Sequence, residues 1–191
     1  RDWSVTGVQT CALPICQYDA QRLGGVAVEL KSHLPIERQA RVIGATWLDQ
    51  QLIGGGKGLG DLGFGGEVKN ALQQRADFLE EQGLAQRRGQ RVILARNLLG
   101  TLRNRELSQA AKDIAAETGL EHRPVGDGQR VAGIYRRSVM LASGRYAMLD
   151  DGMGFSLVPW RPVIEQRMGP QVAATVRGGR VSWEIGRQRG P

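Results

Sequence analysis

The residues that could do chemistry are few and scattered. Two cysteines, Cys11 and Cys16, and two histidines, His33 and His122, occur in 191 residues. Cys11 and Cys16 have no third or fourth sulfur near them, which falls short of the ligand sets that hold structural zinc. Neither histidine has a clustered cysteine or a paired carboxylate beside it, so the pattern assembles no metal site and no base for a nucleophile. Ser143 lies in ASGR without a G-x-S-x-G elbow. Asp150 and Asp151 are adjacent in a strand pattern, where successive side chains point to opposite faces, and Asp-Gly is a turn signature. Gly58-Leu59-Gly60-Asp61-Leu62-Gly63 satisfies G-x-G-x-x-G, yet it follows a helical pattern instead of a strand, and Lys57 is followed by Gly58 where a Walker motif has Ser or Thr. The backbone cradle for a phosphate needs the strand-to-helix context, so this stretch reads as a loop. The residues point to no catalytic group, no cofactor and no metal.

Arginine is what remains. Lys+Arg number 26 against 19 Asp+Glu, a formal charge of +7, and only Lys31, Lys57, Lys69 and Lys112 are lysines. Guanidinium forks match phosphate oxygens in a way that ammonium point charges do not. Six arginines fall on expected hairpins: Arg87, Arg88 and Arg91 on one, and Arg136, Arg137 and Arg145 around another. They are the candidate nucleic-acid contacts, along a phosphate backbone as the wing of a winged fold lies. Equally, they form a solvated rim that keeps strand edges from aggregating. Aromatic rings that could stack on bases are scarce, and Tyr135, Tyr146 and Phe155 fit a core as well as a platform. Trp160 and Trp183 fit barrel core.

These arginines need elements to hold them. Val26, Val28 and Leu30 alternate as in a short strand. Ala40, Ile43, Trp47, Leu48 and Leu52 recur at helical spacing and predict one helix from Glu37 to Ile53, broken by the glycine-rich stretch at 54–66. A second helix is expected over 67–82 and stops at Gly83; strands at 84–87 and 91–95 then form a short basic hairpin, and Asn97 caps a third helix closed by Gly119. Helix, helix, hairpin, helix is the order of a winged-helix-like unit. Beyond a linker at 122–129, short strands dominate, with hairpin turns at Ser143-Gly144, Asp151-Gly152 and Gly178-Gly179 and a brief helical segment after Pro162. The expected fold class is therefore α+β: a winged-helix-like unit over 17–121, then a small SH3-like or OB-like β-barrel over 130–186 and a basic tail at 187–191. Every apolar run is interrupted by charge, so no membrane span is expected.

Longer strings carry more than periodicity does. YDAQRLGGVAVELKSHLPIE, GATWLDQQLIGGG, RADFLEEQGLAQRRGQRVILARNLL, AAETGLEHRP and VAGIYRRSVMLASGRYAMLDDGMGFSLVPWRPVIEQRMG closely resemble the C-terminal portion of VirD-type relaxase/mobilisation nucleases of bacterial conjugative elements, over Gln17 to Pro191. That resemblance implies a parent protein that nicks DNA at a transfer origin through a catalytic tyrosine with a histidine-bound metal, in the bacterial cytoplasm, and is exported with its strand by type IV secretion. The catalytic elements of that family lie in its N-terminal domain. Tyr18, Tyr135 and Tyr146 stand in contexts unlike its nuclease motif, so no catalytic residue carries over. Two functions follow as expectations: an accessory DNA-binding module, or a docking module for relaxosome proteins or the secretion coupling protein.

The opening stretch has a separate reading. Val5 to Ile15, VTGVQTCALPI, is what a common short-read sequencing adapter gives when translated in one frame, with Cys16 encoded across the junction. On that reading residues 1–16 are an artefact and the cysteines carry no biology; Arg1 and Asp2 cancel, so the net charge is unaffected.

Overall fold

The computed structural model describes residues 33–55 and 63–185. The expected strand at 26–30, both cysteines, positions 56–62 of the glycine-rich stretch and the tail at 187–191 lie outside the described residues. The chain divides into two compact units, residues 1–105 and 106–191. Its class is α+β: helices with a mostly antiparallel sheet.

The first unit begins with α1 (Ile36–Gln39), α2 (Trp47–Ile53) and α3 (Phe64–Glu81), continues through the hairpin β1 (Ala85–Arg88) and β2 (Arg91–Leu94), and ends in the first turns of α4 (Leu98–Thr118). The single helix expected over 37–53 is broken at 40–46, where Gly44 adopts φ 125, a conformation open to glycine and strained for other residues. The reason is Arg75. Its side chain rises from α3 fully buried, and its guanidinium spends every N–H on this segment. Nε donates to Asp49 Oδ1 at 2.8 Å and Nη2 to Asp49 Oδ2 at 2.9 Å. The remaining donors reach the carbonyls of Val42 at 2.7 Å, Gln39 at 3.1 Å and Gly44 at 2.7 Å. Carbonyls turned toward one guanidinium cannot also continue a helical ladder, so the helix stops at Gln39 and restarts at Trp47. Asp49 marks the restart, since its Oδ2 also accepts from the Thr46 backbone N–H at 2.7 Å and hydroxyl at 3.0 Å. The apolar remainder packs as two clusters, Ala40, Leu48 and Ala71 in one, and Phe78, Leu79, Leu84, Leu98 and Leu102 in the other.

Asn97, expected to cap α4, sits at φ 53, a region asparagine tolerates. Its carbonyl accepts the Thr101 N–H at 3.0 Å, and its side chain folds so close over residue 100 that a Cβ there would meet Asn97 Oδ1 at 2.5 Å. A side chain at 100 would therefore require the Asn97 amide to turn aside.

In the second unit the strands are β3 (Glu121–His122), β4 (Arg130–Leu141), β5 (Gly144–Asp150), β6 (Gly154–Pro159), β7 (Gln171–Arg177) and β8 (Arg180–Glu184), with a 3-10 turn at Pro162–Arg167. They form one sheet in the order β3-β6-β5-β4-β7-β8. No closed barrel results: β3 and β8 are its edges. β3 lies on the far edge of β6 at its first two residues, the one parallel pairing, at Glu121↔Gly154 and His122↔Phe155. At the other end of β6, Trp183 of β8 reaches across with its indole N–H to the Pro159 carbonyl at 3.2 Å, a side-chain link in place of a ladder.

The expected linker at 122–129 lies inside this unit and is tied down. Arg123 N–H donates to Phe155 O at 2.8 Å, Gly128 N–H to Val176 O at 2.6 Å, and Gly178 N–H to Asp127 Oδ1 at 2.6 Å. The turn expected at Ser143-Gly144 is Ala142-Ser143, with Gly144 paired to Leu141. Glu106 of α4 sets this turn by accepting from the Ala142 N–H, from the Ser143 N–H at 3.1 Å and from the Ser143 hydroxyl at 2.8 Å.

Both faces of the sheet are covered. Ala110, Ala111 and Ile114 of α4 pack on Tyr146, Met148, Phe155 and Leu157; the opposite face gathers Tyr135, Ala147, Leu149, Val158, Ile164, Val172 and Ala174. That is why β5 and β6 read as nearly unbroken apolar runs instead of alternating ones. Trp160 and Trp183, expected as barrel core, are half-buried against this second cluster. Backbone approach is tight at Gly133, where a Cβ would lie 2.8 Å from Asp150 O.

The Arg75 knot yields a direct expectation. Arg75→Met removes one partner of a fully buried pair and strands the Asp49 carboxylate, so it should lower unfolding stability by about 3–5 kcal/mol, read as an earlier urea midpoint. A midpoint unchanged from the parent would mean that the pair does not organise this unit.

Candidate nucleic-acid interface

The structure places the six candidate arginines in two separate groups and gives them different environments. Arg87, Arg88 and Arg91 lie on the β1–β2 hairpin of the first unit; Arg136, Arg137 and Arg145 lie on β4 and β5 of the second.

The hairpin pairs Ala85↔Leu94, Gln86↔Ile93, Arg87↔Val92 and Arg88↔Arg91 around a two-residue turn, Gly89-Gln90. Gly89 stands at φ 61 while Gln90 has no positive φ, the type II′ pattern whose twist suits the flanking strands. Alternation gives the ribbon an inner face of Ala85, Arg87, Val92 and Leu94 and an outer face of Gln86, Arg88, Arg91 and Ile93. Ala85 and Leu94 pack against the cluster of Phe78 and Leu79, and the ribbon is tied in by Leu84 N–H to Leu79 O and Ala95 N–H to Leu84 O, each 2.8 Å.

This division sorts the arginines. Arg87, on the inner face, pairs with Asp77 of α3 and lies 3.6 Å from Glu80. Arg88 and Arg91 are exposed on the outer face with no carboxylate within ion-pair reach among the described residues. Arg96, which the sequence reading did not single out, follows β2 and is likewise exposed.

The second group is largely committed to carboxylates. Arg136 Nε donates to Asp150 Oδ2 at 3.2 Å. Arg137 forks onto Glu117 at 3.1 and 2.9 Å. Arg145 lies 4.1 Å from the Trp160 ring centroid and 3.4 Å from Glu165, which also accepts the Trp160 indole N–H at 3.0 Å. Surface pairs of this kind add little stability, but each must open before its arginine can meet a phosphate. Charge follows the same division: among the described residues ten basic side chains face nine acidic ones in the second unit, and ten face six in the first. Tyr135, Tyr146 and Phe155 are buried in the core, so none presents a ring to a base.

Other candidate chemistry does not assemble. His33 lies just before α1, and His122 in β3 stands against Phe155 at 5.2 Å between ring centroids; burial holds both imidazoles below their usual pKa. Asp150 and Asp151 serve the β5–β6 turn: Asp150 accepts the Gly152 N–H at 2.8 Å, and Asp151 accepts the Met153 N–H at 2.9 Å and the Gly154 N–H at 2.8 Å. Among the described residues no group of three or more His, Cys, Asp or Glu could hold a metal ion, and no helix is long and apolar enough to cross a membrane.

The carboxylates that hold the second group predict an acid limb. The Arg137 hydrogen bond and charge hold Glu117 below its ordinary value of 4.5, and the Met153 and Gly154 N–H groups hold Asp151 below 3.8. Such groups favour the folded state when ionised, so their contribution is present above the unfolded values and is lost as pH falls through the lowered folded ones. Thermal unfolding measured across the acid range should show stability falling below about pH 4.5, less steeply in Glu117→Gln. Superimposable profiles would mean that the Arg137–Glu117 fork does not persist in solution.

A family model described as a protein of unknown function, DUF3363, matches residues 12–191. No curated protein matches the chain, and no solved structure matches it. With nearly its whole length covered, the chain belongs to the DUF3363 family.

Proposed function

We propose that this chain is a non-catalytic C-terminal region of a conjugative DNA relaxase and acts as an accessory DNA-binding module, using the β1–β2 hairpin as its contact. The observation that carries the reading is the outer face of that hairpin, where Arg88 and Arg91 stand exposed without carboxylate partners while their neighbour Arg87 is held by Asp77 and Glu80. The element order of the first unit, α2, α3, hairpin, α4, supports a winged-helix-like assignment with the hairpin as wing. The resemblance of the longer strings to VirD-type relaxases supplies the DNA context. Arg136, Arg137 and Arg145, expected as contacts on the same footing, become structural residues in this reading, because each already has an acidic partner. No catalytic residue, cofactor or metal is proposed for this region.

Docking to relaxosome proteins or to the coupling protein is the second reading. Val163 and Met168 favour it, two apolar side chains exposed at 53% and 56% along the 3-10 turn and its end.

Fluorescence anisotropy with a labelled duplex separates the two. Arg88→Ala and Arg91→Ala should each weaken binding by about 5- to 10-fold at low salt, the net scale of one hydrogen bond, and Arg137→Ala should change it by less than about 2-fold. Absent or salt-independent binding in the parent chain would sink the DNA reading. Capture of the coupling protein that survives neutralisation of Arg88 and Arg91 but fails in Val163→Asp would favour docking.

A further inference from the structure

Arg88 and Arg91 are directly opposed across the hairpin, the last pair before the turn. Like charges opposite one another on neighbouring strands repel, the reverse of what a cross-strand pair ordinarily contributes. Nothing nearby on the same face offsets them: Gln86 and Ile93 complete that face and Gln90 fills the turn, so it carries two cations and no anion. The contrast with Arg87, one residue back and held by two carboxylates of α3, shows that a pairing solution exists in the same ribbon and is used only on its inner side.

We infer that Arg88 and Arg91 act together as one clamp for a single phosphate group of a nucleic-acid backbone. The clamp rests on geometry alone, and the identity of the phosphate rests on the DNA-binding reading. Opposed strands set the two side-chain bases about 5 Å apart on the same face, so two guanidinium forks can converge on one tetrahedral group from two sides. Each fork offers parallel N–H donors that match adjacent phosphate oxygens. The shared anion also cancels the repulsion between the arginines, so binding at one depends on the other. The ribbon that holds them is fixed by its ladder, by Gly89 at φ 61 and by the packing of Ala85 and Leu94, which reduces the ordering that binding requires.

The test follows the arginine Nε–Hε resonances of the full chain by NMR during titration with inorganic phosphate, against chloride at equal ionic strength. Arg88 and Arg91 should move along one shared isotherm while Arg87 stays in place. In Arg88→Gln, phosphate affinity read at Arg91 should fall about 10-fold, with Arg88→Lys recovering only part of the loss because an ammonium cannot fork. Separate isotherms, or an Arg91 response unchanged in Arg88→Gln, would overturn the clamp. Duplex DNA and phosphatidylserine vesicles then identify the source of the phosphate. Shifts of the same two resonances with DNA and none with vesicles support the nucleic-acid assignment; shifts with vesicles and none with DNA would overturn that assignment, and the DNA-binding reading with it, while the clamp itself stood.

Discussion

The first unit depends on one buried guanidinium. Taking Arg75 and Asp49 out of water is expensive, and the expense is offset only because no donor on the guanidinium and no oxygen on the carboxylate is left without a partner. The consequence reaches past the pair itself. Carbonyls of Gln39, Val42 and Gly44 are drawn to one point, the helix is cut, and α2 restarts at a position set by Asp49 and Thr46. Arg75 also lies 5.1 Å from the centroid of Phe78, whose ring belongs to the cluster that seats the hairpin. The placement of the outer-face arginines therefore traces back, through Phe78 and Leu79, to the face of α3 that Arg75 occupies.

In the second unit the corresponding constraint is occupancy of strand edges. β6 is paired by β5 along one side and by β3 at its first two residues on the other, the sheet stays open between β3 and β8, and α4 and the 3-10 turn cover its two faces. Glu106 plays a part like that of Asp49, a carboxylate with 9% exposure spent on backbone N–H groups, here at the 142–143 turn.

The apolar spacing marked α3, the hairpin, α4 and most strands of the second unit, because in those segments local pattern and tertiary demand agree. It misjudged 37–53, where the apolar positions do recur at helical spacing but the backbone is claimed by a side chain 31 to 36 residues further on. A signal was present: Arg75 follows Val68, Ala71 and Leu72 and precedes Phe78 and Leu79, on the stripe where an apolar residue belongs. Glu106, four residues after Leu102 and four before Ala110, breaks its stripe in the same way. A charge on an apolar stripe marks a buried network whose partners spacing cannot name. The barrel expectation failed for a different reason, since a two-residue parallel strand such as Glu121–His122 leaves almost no pattern to read. The arginines were visible as a class, but which of them are spent on carboxylates depends on residues distant in sequence: Arg137 on Glu117, Arg145 on Glu165 and Arg87 on Asp77.

Of the six arginines on the two hairpins, the fold commits four to carboxylates and leaves Arg88 and Arg91, at the tip of the first, without one. Hydrogen–deuterium exchange with and without duplex DNA tests that division most directly. The account predicts slowed exchange confined to the hairpin at 85–94 and its immediate flanks, with the strands carrying Arg136, Arg137 and Arg145 unaffected. Protection centred on 130–150 with an unprotected hairpin would contradict it.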